Sequence, residues 1–328
     1  MRQDKLYLGL VKGEGYGWGV CSKYLIHELA KHKTVKVLQD VDGSAENGSL
    51  DGDLFQALTN IDFDPMFPRA RGRHDLGYAF FENELTSKSV ENAKRFALVL
   101  GGSTWCRDRM LEKGITNCGV LIQGIDPEIF YPIPPQTSDE RFVIFSGGKF
   151  ELRKGQDIVL KAVKIMQERY PDVWLINCWY NLWPASARLM NYSAHIHFQH
   201  QDGESWDATM RRTYIENGLD PGRIITSGHK DILTEDNSLM LSSLSDYHVK
   251  DASGRLIARW KECSLEELLA HLEYAYHNRS AIQTVGRQAG EDLKGFTWSH
   301  SAEHLVRFFD NSSERERYGS LSAPVCAN

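Results

Sequence analysis

The chain has 328 residues, 41% of them hydrophobic and 25% charged, with a formal net charge of −6 and a pI of about 6.1. That length supports two domains with separate cores, and the acidic balance excludes a general nucleic-acid binder, which needs a broad basic surface. Six scattered cysteines without a C-x-x-C pair read as reduced thiols, and neither an apolar leader nor a run approaching about 18 apolar residues is present, so the expectation is a cytoplasmic protein.

The first half alternates strands and helices. "LYLGLV" (6–11) is a short apolar run that stops at "KGEGYGWG", the pattern of a strand buried on both faces. Cys21, Leu25 and Leu29 then recur at helical spacing, and "VKVLQ" (35–39) reads as a second strand. The polar stretch 40–53 is expected to be loop, with the "DGD" at 51–53 solvated. "DLGYAFFENE" (75–84) holds another strand, and "SKSVENAKRF", "ALVLGGS", "TWCRDRMLEKG" and "GVLIQG" read helix, strand, helix, strand. Such alternation implies a parallel sheet covered by helices.

"GIDPEIFYPIPPQTSDER" (124–141) carries four prolines and reads as a linker. Beyond it a second βα series begins with the strand "RFVIFSG" and a helix striped by Ile158, Ala162, Met166 and Tyr170. "VWLINCW", "HIHFQ" and "GRIIT" are the next predicted strands, with "WDATMRRTYIENG" a helix between the last two. The C-terminal third is helical; Ser264 followed by Glu267 is a capping box. The expected division is a domain over 1–131, a linker over 132–140, a domain over 141–311 and a disordered tail over 312–328.

The most informative stretch is "FSGGKFELRKGQDIVLKAV" (145–163), a strand that breaks at two glycines and restarts as a helix. A helix start next to a glycine turn favours a phosphate, because backbone N–H groups and the helix dipole point at it and no Cβ holds it away. Lys149 and Lys154 would supply two positive charges; the plainer reading is a solvated turn.

Three stretches in order resemble the retaining GT-B glycosyltransferases of family 4. They are "GGSTWCRDRMLEKGITNCGVLIQGIDPEIFYP" (101–132), "SGGKFELRKGQDIVLKA" and "FTWSHSAEHLVRFF". The resemblance implies an α/β GT-B fold, two Rossmann-like domains facing a cleft, and transfer of a hexose from a UDP- or GDP-sugar with retention. It implies Lys149 and Lys154 on the donor diphosphate, Gly148 giving backbone access, and Gly15 and Gly17 approaching from the first domain. Asp231 matches the family's acidic position near the donor, and His74 and Glu82 are the candidates for contact with the acceptor or the anomeric centre. No cofactor and no metal are implied, the partners being the donor and a saccharide or lipid-linked acceptor, the latter with peripheral membrane contact.

The sequence also departs from that family. "GRIIT" runs directly into "SGHKDILTEDNSLML", so the Glu-x7-Glu segment that binds the donor sugar is missing at Thr226–Ser227, and the second domain is expected to be shortened. Loss of a strand or two would expose apolar sheet edges and remove sugar-positioning groups. A catalytically inactive nucleotide-binding remnant is therefore the alternative. Two rivals are weaker. "GEGYGWG" with Asp40 after the next strand suggests a dehydrogenase, but its spacing is G-x-G-x-G and Trp18 would crowd a pyrophosphate. "HIHFQH" puts His195 and His197 on one strand face near His200, where hydrogen bonding beside the sheet competes with metal binding.

Overall fold

The computed structural model describes residues 5–13, 16–39, 48–131, 140–179, 181, 184–201, 203–220, 223, 238–251 and 253–311. In chain order the first elements are β1 (Lys5–Gly9), α1 (Gly17–Leu29), β2 (Thr34–Val37), β3 (Gly48–Ser49), β4 (Asp53–Ala57), β5 (Ala70–Arg71) and β6 (Asp75–Ala79). Next come α2 (Ser87–Ala93), β7 (Leu98–Gly101), α3 (Thr104–Glu112), β8 (Cys118–Val120), β9 (Phe142–Ser146), α4 (Gln156–Arg169) and β10 (Val173–Asn177). The last are α5 (Trp206–Glu216), β11 (Leu244–Lys250), β12 (Leu256–Cys263), α6 (Leu265–His277), α7 (Arg279–Leu293) and α8 (Trp298–Asp310).

The chain forms two compact units. The first is Met1–Tyr131 with Lys250–Ala258 and Asp292–Asn328; the second is Pro132–Val249 with Arg259–Glu291. The predicted linker lies almost wholly, and the tail over 312–328 entirely, outside the described residues.

The first unit is built on a six-stranded parallel sheet in the order β2-β1-β4-β6-β7-β8. Strand β4 was not expected. All five of its residues are buried, so it lacks the alternation that marks a half-exposed strand, and it follows directly on the "DGD". The "DGD" is not solvated throughout: Asp53 opens β4 at 6% exposure, because its carboxylate is taken up by His74. After β2 the chain crosses to the other side of β1 to add β4. Ligands of open parallel sheets bind beyond the carboxyl ends of the strands that flank such a reversal.

One sheet face buries Leu6, Leu8, Phe55 and Tyr78 against Cys21, Leu25 and Leu29 of α1. The same core takes Trp298, Leu305 and Phe308 of α8, the helix expected in the second domain. Its seat is specific. Trp298 stacks on Tyr24 at 5.4 Å, and Ser301 Oγ donates to the Ile122 carbonyl at 2.7 Å. The Ile125 amide bonds the Phe296 carbonyl at 2.8 Å. A Cβ on Gly124 would lie 2.0 Å from the Trp298 nitrogen, so only glycine lets the two segments meet.

In the second unit β9 and β10 pair in parallel from Phe142↔Val173 to Ser146↔Asn177. The predicted stripe of α4 is buried at Ile158, Ala162 and Met166. Leu160 and Val163 of α4 pack with Phe150, Leu175, Trp179 and Met210 in this unit's core. Among the described residues the parallel sheet has two strands, and Val143 and Phe145 on β9 stay exposed, Phe145 by 60%. Parallel strands are ordinarily covered on both faces. "HIHFQ" forms no strand, because side chains take its backbone groups. Ser193 Oγ accepts from the amides of His195 and Ile196, and Asn217 bonds both the amide and the carbonyl of His197. "GRIIT" lies outside the described residues except for Arg223.

Candidate functional site

The glycine turn of the second unit leaves the carboxyl end of β9 and reaches α4 through a 3-10 turn at Leu152–Lys154. Two glycines make this path open to the chain. Gly148 has φ +96° and Gly155 φ +64°, both in the left-handed region that side chains disfavour. Gly148 is exposed, and a Cβ there would lie 2.8 Å from Lys154 Nζ, so the ammonium stands against the bare glycine backbone. An anion laid on this turn meets both the open backbone and the charge.

Two buried amides hold the turn in shape. Asn181, 2% exposed, accepts from the Phe150 amide at 2.7 Å and donates to the Phe150 carbonyl at 3.1 Å. Gln156, 1% exposed, accepts from the Glu151 amide at 2.8 Å and donates to the Gly147 carbonyl at 3.3 Å. Each bond satisfies a backbone group in the loop, which a tight turn otherwise leaves unpaired. Behind them Asp157, in the first turn of α4, accepts from Ser193 Oγ at 2.6 Å. Burial pushes its carboxyl above the ordinary range, against the opposing bonds from Ser193 and the backbone.

The charges around the turn include one the sequence reading passed over. Glu151 is buried, with Oε2 2.8 Å from Arg153 Nη2 and Oε1 3.9 Å from Lys149 Nζ. A carboxylate two residues after one basic residue and two before another was readable in "KFELRKG", but only the fold shows its burial.

The first unit carries its own glycine loop beyond the carboxyl end of β1. A Cβ on Gly19 would lie 1.8 Å from the Gly13 carbonyl oxygen, which requires glycine for packing alone. Gly17, at the start of α1, is exposed with open space where a Cβ would stand, and its helix has no side-chain cap at Tyr16. Trp18 turns inward, edge-on to Phe80 at 4.6 Å and to Tyr78 at 5.7 Å. Gly15, Asp40 and Asp231 lie outside the described residues, as does the Thr226–Ser227 junction.

His74 and Glu82, both candidates for contact with the acceptor or the anomeric centre, lie beyond opposite ends of β6. His74 precedes β6 and Glu82 follows it, so the strand's five residues alone separate them by about 16 Å at ~3.3 Å per residue. His74 sits at the amino end of the sheet with Nδ1 2.9 Å from Asp53 Oδ1. Only Glu82 lies at the carboxyl edge where ligands of parallel sheets bind. The histidines of "HIHFQH" also diverge: His195 Nε2 lies 3.3 Å from Glu262 Oε1, His197 Nδ1 3.1 Å from Glu216 Oε2, and His200 Nδ1 2.8 Å from Thr209 Oγ1.

These features, an open parallel sheet in one unit and a strand–glycine-turn–helix in the other, belong to the GT-B fold of glycosyltransferases, which is the fold of this chain. The chain is similar to HepE from Anabaena, solved in complex with UDP and glucose, with a TM-score of 0.50 at 13% identity over 94% of this chain and 100% of HepE. It is also similar to TarM, with a TM-score of 0.45 at 11% identity over 79% of this chain and 55% of TarM. No family model and no curated protein matches the sequence.

Proposed function

We propose that the chain is a glycosyltransferase that moves a hexose from a UDP- or GDP-sugar to a carbohydrate or lipid-linked acceptor, with retention at the anomeric carbon. The observation that carries this reading is the approach of Lys154 Nζ to the bare backbone of Gly148 at the carboxyl end of β9. The likeness to HepE, itself solved with UDP and glucose, supports it. As the bond between the sugar and the diphosphate breaks, negative charge grows on the leaving group. Lys149 and Lys154 would stabilise that charge by electrostatics alone, without a metal. Glu82 is the candidate in the first unit for contact with the acceptor.

A second reading is binding without turnover. It rests on the Glu-x7-Glu segment that the sequence lacks at Thr226–Ser227. One experiment separates the two: nucleoside-diphosphate release from a panel of UDP- and GDP-sugars, with the Lys149→Ala/Lys154→Ala double variant as control. Release that the control lacks names the donor and supports transfer. UDP or GDP binding by calorimetry with no release supports a grip without a reaction. Neither binding nor release sinks both readings.

A further inference from the structure

We propose that Glu151 is a built-in counter-ion that competes with the donor's diphosphate for Lys149 and Arg153, and so sets how tightly the turn holds its anion. This role of Glu151 rests on the reading of the turn as a diphosphate site.

The carboxylate divides its two oxygens between two cations, Oε2 at 2.8 Å from Arg153 Nη2 and Oε1 at 3.9 Å from Lys149 Nζ. It does not cap the 3-10 turn after it. Nor does the loop need this side chain for its shape. The Glu151 amide is held by Gln156, its carbonyl accepts from the Lys154 amide at 2.9 Å, and Asn181 fixes Phe150 on one side. The charge is thus separable from the fold. A residue only 9% exposed holds its charge at low dielectric, where neighbouring ions feel it more than they would in water.

Lys149, Arg153 and Lys154 bring three positive charges to the turn, and Glu151 sets one negative charge among them. A diphosphate arriving at this turn must draw Lys149 and Arg153 away from Glu151 and accept repulsion from the carboxylate. The same competition acts in reverse after transfer. Glu151 re-forms its pairs as the nucleoside diphosphate departs, which favours release of a product that a purely cationic turn would retain.

The test is calorimetric binding of UDP and of inorganic pyrophosphate to the full chain. Glu151→Gln is expected to bind both about fivefold more tightly, the scale of one exposed-to-half-buried ion pair, with a steeper loss of affinity as salt rises. Arg153→Gln leaves the carboxylate to Lys149 and is expected to weaken binding. The Glu151→Gln/Arg153→Gln double variant is expected to recover at least wild-type affinity. Unchanged or weaker binding in Glu151→Gln, or a double variant as weak as Arg153→Gln, overturns the proposal. The Lys149→Ala/Lys154→Ala variant keeps the two failures apart: if it binds pyrophosphate like the wild type, the assignment of the site is at fault and not the role of Glu151.

Discussion

Lys154 Nζ stands where a side chain on Gly148 would begin: a Cβ added to the glycine would meet the ammonium nitrogen at 2.8 Å. The lysine reaches over a residue that has no side chain to oppose it, at a φ of +96° that disfavours any other residue. Gly148→Ala therefore changes both the backbone and the position of the charge. The backbone strain is roughly 1–2 kcal/mol, a fall in Tm of several degrees. Affinity for UDP is expected to drop at least about tenfold, in line with loss of a charge-assisted contact. Retained affinity in a folded Gly148→Ala protein would place the anion elsewhere.

Asn181 bonds both backbone groups of Phe150 from a buried position. Asn181→Ala strands an amide and a carbonyl without water, at a cost of roughly 1–3 kcal/mol for each buried group left unpaired. Urea unfolding should show that loss with an unchanged m-value. The affinity for UDP should fall with it, since the turn loses one of its two clamps; Asn181→Asp, which keeps only the acceptor, should fall between the two.

Gly19→Ala tests the loop of the first unit. Its Cβ would lie 1.8 Å from the Gly13 carbonyl, a clash with backbone that cannot swing away. Overpacking of this kind costs typically ~1–3 kcal/mol and more where nothing yields. Gly17→Ala, where a Cβ meets nothing within 4 Å, is expected to leave stability unchanged or slightly raised. Thermal melts of the two variants check the contrast.

The Arg212 guanidinium, with help from Thr209, holds the Glu204 carboxyl down to about 2 from its ordinary 4.5. A depressed carboxyl binds its proton later in the folded than in the unfolded chain. It therefore contributes stability that is full above about 4.5 and lost as pH falls toward 2. The wild type should melt above Glu204→Gln at pH 7, and the gap should close through that window. Asp157 has the opposite sign: burial raises its carboxyl, so its contribution is full below the ordinary range and declines as pH rises. Asp157→Asn should gain on the wild type as pH increases.

Much of the glycine turn's conformation was readable because its signals are local. Two adjacent glycines, flanking basic residues and a helix stripe identify a strand–turn–helix without any distant information. The capping box was half right for the same reason. Ser264 Oγ accepts from the Glu267 amide at 3.3 Å, but the Glu267 carboxylate turns to the amides of Ser242 and Ser243 at 2.9 and 2.8 Å. What failed was set by partners remote in sequence. β4 is buried on both faces and so has no period, and "HIHFQ" loses its ladder groups to Ser193 and Asn217. α8 carries apolar residues that fit any core, and its choice of Tyr24 and Gly124 is invisible in a linear reading. His74 and Glu82 are near in sequence, yet a strand carries them to opposite ends of the sheet.

The seat of α8 in the first core also governs the order in which this protein can be made. Trp298, Leu305 and Phe308 complete a core whose other walls, Leu6, Leu25 and Tyr78, leave the ribosome more than two hundred residues earlier. At about 5–20 residues per second that interval is at least ten seconds. Until then the start of the chain has an apolar face awaiting its last helix, and the second unit, whose residues are all made by Glu291, is complete in sequence before that helix emerges. The domain begun first is thus the one finished last.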